Sequence, residues 1–244
     1  MAMGPFDVLR TVHIAAGALS LLVFVIPMLT HKGGRIHRSV GWVFVGAMGT
    51  AALTAATMSL VVLADPTSAG GRRASAWFLL FISVMSANSS WFGLRVLRFK
   101  RHGGAHRSPA DLGAVAALLT AAVVTSVYGF GHGSALLAWF PLLGVFLGLS
   151  QLAYWRRAPA LQQQWWLEHM GGMFTACIGT VTAFLVAGMP RFVTLDVPPL
   201  ALWLAPTVTL VPLLIGWQAY YRRRFTQRRA PLPPAGDPAD QVGR

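Results

Sequence analysis

Residues 31–41 read HKGGRIHRSVG: two His, one Lys, two Arg and three Gly, set between two long apolar runs. Three readings compete for this stretch. A loop rich in Gly and base can cradle phosphate, two His can hold a metal or a haem, and a basic hairpin can join two membrane helices. The rest of the chain decides between them.

The chain has 244 residues, of which 55% are hydrophobic and 11% charged, with a mean hydropathy of +0.57. Soluble domains carry about 25% charged residues, so this is a membrane composition before any helix is placed. The net charge of +13 does not indicate nucleic acid. Its bases fall in short clusters between apolar runs, with no basic face interleaved with aromatics. The single cysteine, Cys177, makes no internal disulfide and reads as a small core residue. The first apolar run has only Arg10 and Asp7 at its flank and no A-x-A-like cleavage site, so it reads as a retained span.

A bilayer crossing needs about 20 mainly apolar residues. Seven segments qualify, over residues 9–30, 39–63, 74–97, 111–128, 134–155, 165–188 and 199–221, with Asp111 a helix N-cap and "GFGHGS" the turn between the fourth and fifth. The expected fold is an all-α bundle of seven transmembrane helices over residues 1–225, followed by a disordered Arg/Pro-rich tail over 226–244. Lys and Arg set the orientation. Only Arg10, Arg72, Arg73 and Arg191 fall on one side; all others of the twenty lie in the one–two, three–four and five–six connections or after the last span. The N-terminus is therefore expected outside and the C-terminus in the cytoplasm, in a bacterial inner membrane. The Arg cluster 222–224 would meet anionic lipid, each base adding about 1 kcal/mol.

Helices in lipid pack through small residues. The sixth segment carries Gly171, Thr175, Gly179, Ala183 and Ala187 at four-residue spacing, with Gly172, Ala176 and Thr180 beside them. It is expected at the centre. The first segment has Ala16, Gly17 and Ser20, and the fifth has Gly144 and Gly148. The third has Ser83, Ser86, Asn88, Ser89 and Ser90 near mid-membrane, where Asn88 faces a partner helix or a cavity. Pro141, Pro206 and Pro212 are expected to kink their helices.

Histidines supply the chemistry. His37 and His169 both begin spans on the cytoplasmic side and so lie at similar depth, with Glu168, the only Glu, beside His169. His13 lies near the outer end of the first span, too far along its helix to join them. This gives an inner cluster (His37, Glu168, His169, Arg38) and an outer one (His13, with His132). Paired His could ligate a b-type haem, hold a divalent metal with Glu168, or relay protons. They could equally cap helix ends and bind lipid phosphate. His31, His102 and His106, flanked by base, read as solvated. No P-loop, H-E-x-x-H, G-x-S-x-G or zinc-deaminase motif occurs.

Three stretches, "HIAAGALSLL", "HKGGRIHRSVGWVFVGAM" and "WWLEHMGGMFTACIGTVTAFLV", resemble DUF2306, a bacterial family of predicted multi-pass membrane proteins of unknown function. The resemblance places His13, then His37, Arg38 and Gly41, then His169, Gly172 and Met173, with Thr182, Ala183 and Phe184, on the family's motifs. It implies a cytoplasmic-membrane protein and no particular reaction. The leading expectation is a small-ligand-binding or transport-like bundle organised around the first, second, third and sixth spans. Its inner polar site would hold His37, Glu168 and His169, lined by Arg38, Ser86, Asn88, Ser90 and Thr175. The alternatives are a haem-binding redox carrier using His37 and His169, with a second haem at His13, and a metallo-hydrolase that adds Glu168.

Overall fold

Proline and glycine decide where the apolar runs break. A computed structural model describes residues 4–100, 105–193 and 196–227, and every one of the seven spans is helical there. The first span divides into α1 (Pro5–Val23) and α2 (Val25–Leu29). Pro27 has no N–H to give and its ring crowds the Val23 carbonyl, one turn back. The second and third spans are α3 (Arg35–Ala64) and α4 (Gly70–Arg98), and the fourth is α5 (Pro109–Gly131). The fifth divides at Pro141 into α6 (Ala135–Trp139) and α7 (Leu142–Arg156), where the Ser126 hydroxyl donates to the Ala138 carbonyl at the break. The sixth is α8 (Gln164–Ala183), continued by a π turn (Phe184–Gly188) and a 3-10 turn (Met189–Arg191). The seventh, α9 (Pro199–Gln227), runs unbroken through Pro206 and Pro212, so neither ends the helix. Gly33 (φ +78°) and Gly133 (φ +67°) take the left-handed conformation in their hairpins, which a side chain would oppose.

The centre is α4, not the sixth span. It packs against α3, α5 and α8, and 56% of its most apolar stretch is buried against 29% for the sixth span. Small residues on several faces of α4 (Ser83, Ser86, Ser89, Ser90, Gly93) admit three neighbours, and all five are buried. On α8 the buried stripe is Gly172, Ala176 and Thr180; Gly171, Thr175 and Gly179 are half-buried and Ala183 is exposed. The side chain of Ala187 lies outside the described residues. Around this pair, α1 lies on α3 and α8, so the first, second, third and sixth spans close a ring. α5, α6 and α7 cover the opposite side of α4, and α9 lies outermost on α8.

Two glycines set the α4–α8 distance. A Cβ on Gly172 would stand 2.8 Å from the Ser89 carbonyl oxygen and 3.0 Å from the Gly93 backbone. One on Gly93 would stand 2.6 Å from Met173 Cε and 3.3 Å from its backbone nitrogen. Gly144 and Gly148 do the same for α7, against Phe81 on α4 and Leu119 on α5. The ends of α2, α4 and α7, the starts of α3, α5 and α8 and the last turns of α9 lie at one end of the bundle, here the basic end. Arg101, His102 and residues 228–244, where the disordered tail is expected, lie outside the described residues.

Gly172→Ala should lower stability in detergent by about 1–3 kcal/mol, because backbone rather than a flexible side chain meets the new methyl. Gly46→Ala, where nothing lies within 4 Å, should be neutral or stabilising by about 0.5–1 kcal/mol. Paired thermal melts check both; equal melting points would refute the close-approach constraint.

Candidate functional site

The two histidines expected at equal depth meet at the basic end. His37 opens α3, His169 lies in the second turn of α8, and their ring centroids are 6.4 Å apart at an interplanar angle of 67°. Each ring is anchored through Nδ1. His169 Nδ1 is 2.7 Å from the Gly93 carbonyl oxygen, and His37 Nδ1 is 3.0 Å from that of Pro27. A carbonyl only accepts, so both Nδ1 atoms carry the proton and both Nε2 atoms hold a lone pair when the rings are neutral. Among the described residues neither Nε2 has a hydrogen-bond partner.

Local sequence explains both anchors. The α2 helix stops at Leu29, leaving its last carbonyls without helical donors. Lys32 Nζ donates to the Pro27 and Met28 carbonyls at 2.9 and 2.5 Å, and His37 takes the remaining lone pair of Pro27. Burial lowers the Lys32 pKa from the ordinary lysine value. The Gly93 carbonyl already belongs to α4, and α8 comes close enough to add His169 only because Gly93 and Gly172 lack side chains. Lys32 and Lys100 both lie within electrostatic reach of His169, so the surroundings of the pair are basic. About two to three turns deeper, Phe44 and Met48 of α3 pack with Ala176 and Cys177 of α8, and Val23, Phe24 and Met173 close the layer.

The other expected residues are distributed. Glu168 accepts from Gln164 Nε2 at 3.3 Å and interacts electrostatically with Arg222 and Tyr154. Among the described residues it forms no three-ligand metal cluster with the histidines. Arg38 is exposed. Asn88 is buried and donates to Gln151 Oε1 at 2.8 Å, which ties α4 to α7. Ser86 and Ser90 are buried on α4, with Ser86 Oγ facing Gly179, and Thr175 donates back to Gly171 on its own helix. His13 donates from Nδ1 to the Ala51 carbonyl at 2.9 Å, just past the midpoint of α3 and about 21 Å along the helix from His37. It is therefore deeper than the outer end of the first span, where the sequence reading places it, and lies near the midpoint of α1. His132 is exposed and stacks on Tyr128, apart from His13.

One cluster was not anticipated. His106, expected in solvent, lies between the Phe99 and Trp155 rings at 4.3 and 4.4 Å. Its Nε2 is 2.7 Å from Asp111 Oδ2. Asp111 does not cap α5; Ser108 holds the N-cap position, and Asp111 is 1% exposed. Arg95 grips the carboxylate through Nε (2.6 Å) and Nη2 (2.8 Å), and Trp91 Nε1 adds a fourth donor at 3.2 Å. Both carboxylate oxygens carry two donors each, so the group is a closed lock between α4 and α5 with no acceptor left for a ligand. The signal available in sequence was the lone Asp at the start of a span, opposite Arg95 at the end of the one before.

Comparison with known protein families, curated proteins and solved structures finds no match to this chain.

Removing one partner of the lock strands the other. Asp111→Ala should cost about 3 kcal/mol, and a cycle with Arg95→Ala should show strong coupling in thermal or denaturant unfolding. Additive single effects would mean the pair is not a unit.

Proposed function

We propose that this is a multi-pass protein of a bacterial cytoplasmic membrane, N-terminus outside, that binds a small ligand at the cytoplasmic mouth of its bundle between His37 and His169. One observation carries the reading: two imidazoles 6.4 Å apart whose Nδ1 atoms are committed to backbone while their Nε2 atoms have no partner among the described residues. Seven spans long and apolar enough to cross a bilayer supply the membrane setting. Lys32 and Lys100 favour an anionic ligand or an acid that donates to Nε2. Membership of DUF2306 belongs to the same proposal. Its support is that His37 and His169, each in a stretch of resemblance, are brought together, with Gly172 holding α8 against α4.

The ring spacing also favours a second reading. A metal held about 2 Å from each Nε2 fits between rings at this separation, and anchoring of the other ring nitrogen is the usual support of a ligating His. That ion could be the iron of a b-type haem in a redox carrier.

Visible spectra of protein purified in mild detergent after haem-replete expression, oxidised and reduced, together with bound-metal analysis, separate the two. The small-ligand reading expects no Soret band and no stoichiometric metal. It also expects thermal stabilisation by small phosphates or carboxylates that is lost in both His37→Gln and His169→Gln. A Soret band or bound metal that disappears in either variant overturns it in favour of the metal reading.

A further inference from the structure

A separate cavity of about 360 Å³ opens at the basic end, between the α2–α3 hairpin, the start of α8 and the last turns of α9. Neither His37 nor His169 lines it. We propose that it binds the headgroup of an anionic glycerophospholipid, one that carries a free hydroxyl beside its phosphate diester.

Charge comes first. His31 and Lys32 form one side, and none of the lining residues is acidic. The Lys32 ammonium spends two of its three N–H groups on the Pro27 and Met28 carbonyls, which fixes its position and leaves one donor. Lys100 Nζ sits 4.5 Å from the centroid of Trp165, another wall residue. The 20-residue α8 begins at Gln164 beside the cavity, so its positive end faces the same space. The nearby Glu168 carboxylate interacts with Gln164 and Arg222 rather than standing as an isolated anion.

The remaining wall selects a lipid over a free anion. Trp166 packs on Tyr221 at 4.3 Å and on Phe225 at 5.7 Å, and all three line the cavity. Such an aromatic surface at the end of membrane spans lies at the level where headgroups meet acyl chains. It would leave a bare phosphate half unsatisfied. Gln163 supplies the last constraint. Its amide oxygen is buried without a hydrogen-bond partner among the described residues. A phosphate diester has no donor to offer it, whereas a headgroup hydroxyl does.

Full-length protein in neutral phosphatidylcholine nanodiscs is titrated with phosphatidylglycerol, with phosphatidylmethanol (the same diester without the hydroxyl) and with inorganic phosphate. Retained lipid is read by native mass spectrometry and Trp fluorescence. Phosphatidylglycerol should be retained best, phosphatidylmethanol less and phosphatidylcholine least. Lys32→Gln should weaken anionic lipid roughly fivefold. Gln163→Leu should abolish the preference for phosphatidylglycerol over phosphatidylmethanol with the melting point unchanged, which decides the matter even if Lys32→Gln fails to fold. Equal retention of phosphatidylcholine, full displacement by millimolar inorganic phosphate, or an intact preference in Gln163→Leu would overturn the proposal. These outcomes are independent of the His37 and His169 variants.

Discussion

The close approach of Gly93 on α4 to Gly172 on α8 governs the basic end of this bundle. Lipid offers no hydrophobic drive for helices to associate, so contact distance depends on what the backbones permit. At this crossing the permission is complete: a methyl on either glycine would overlap its neighbour. The short distance lets the His169 ring reach a carbonyl on the facing helix at 2.7 Å. Once that bond forms, the ring has one tautomer and one orientation. The His37 ring is fixed in the same way from the other side, by the carbonyl that Pro27 exposes where α2 ends. Two rings thereby join α2, α3, α4 and α8, and the gap between them follows from the backbone positions of all four.

Two polar clusters at this end show how completeness separates structure from function. Asp111 is saturated: Arg95, His106 and Trp91 occupy its acceptor sites, and the aromatic rings of Phe99 and Trp155 close over His106. A buried carboxylate so enclosed ties α4 to α5 and has no acceptor site left to exchange. The histidine pair is half-saturated. Among the described residues each ring has one nitrogen bound and one without a partner, beside two lysines. Polar groups at the edge of a bilayer that are oriented but not satisfied are poised for a further partner.

The seven spans were legible because length and hydropathy are properties of a single segment. The structure places their ends within a few residues of the expected ones, except the seventh, which runs to Gln227. Equal depth of His37 and His169 was also legible, since it follows from alternation of direction along the chain. Centrality was not. The glycine stripe of α8 is visible as a period, but which face of a helix is covered depends on neighbours, and the serines of α4 admit more of them. The outcome at each proline depends on neighbours in the same way. Pro27 and Pro141 break their spans while Pro206 and Pro212 do not, although the residue chemistry is the same. His106 was misread because its flanking bases suggested water, while the aromatic rings that enclose it come from the end of α4 and the end of α7.

Lys32 connects the two sites. Its ammonium and the His37 ring share the Pro27 carbonyl, at 2.9 and 3.0 Å. The same ammonium lines the cavity assigned to a lipid phosphate. The carbonyl oxygen has two lone pairs, so it serves both donors at once, and the two sites meet at one backbone atom while the third N–H of Lys32 is left for the cavity. The hairpin 31–41 thus divides by partner. Gly33 turns the chain, Lys32 faces the cavity, and His37 faces His169, with one exposed helix-end carbonyl between them.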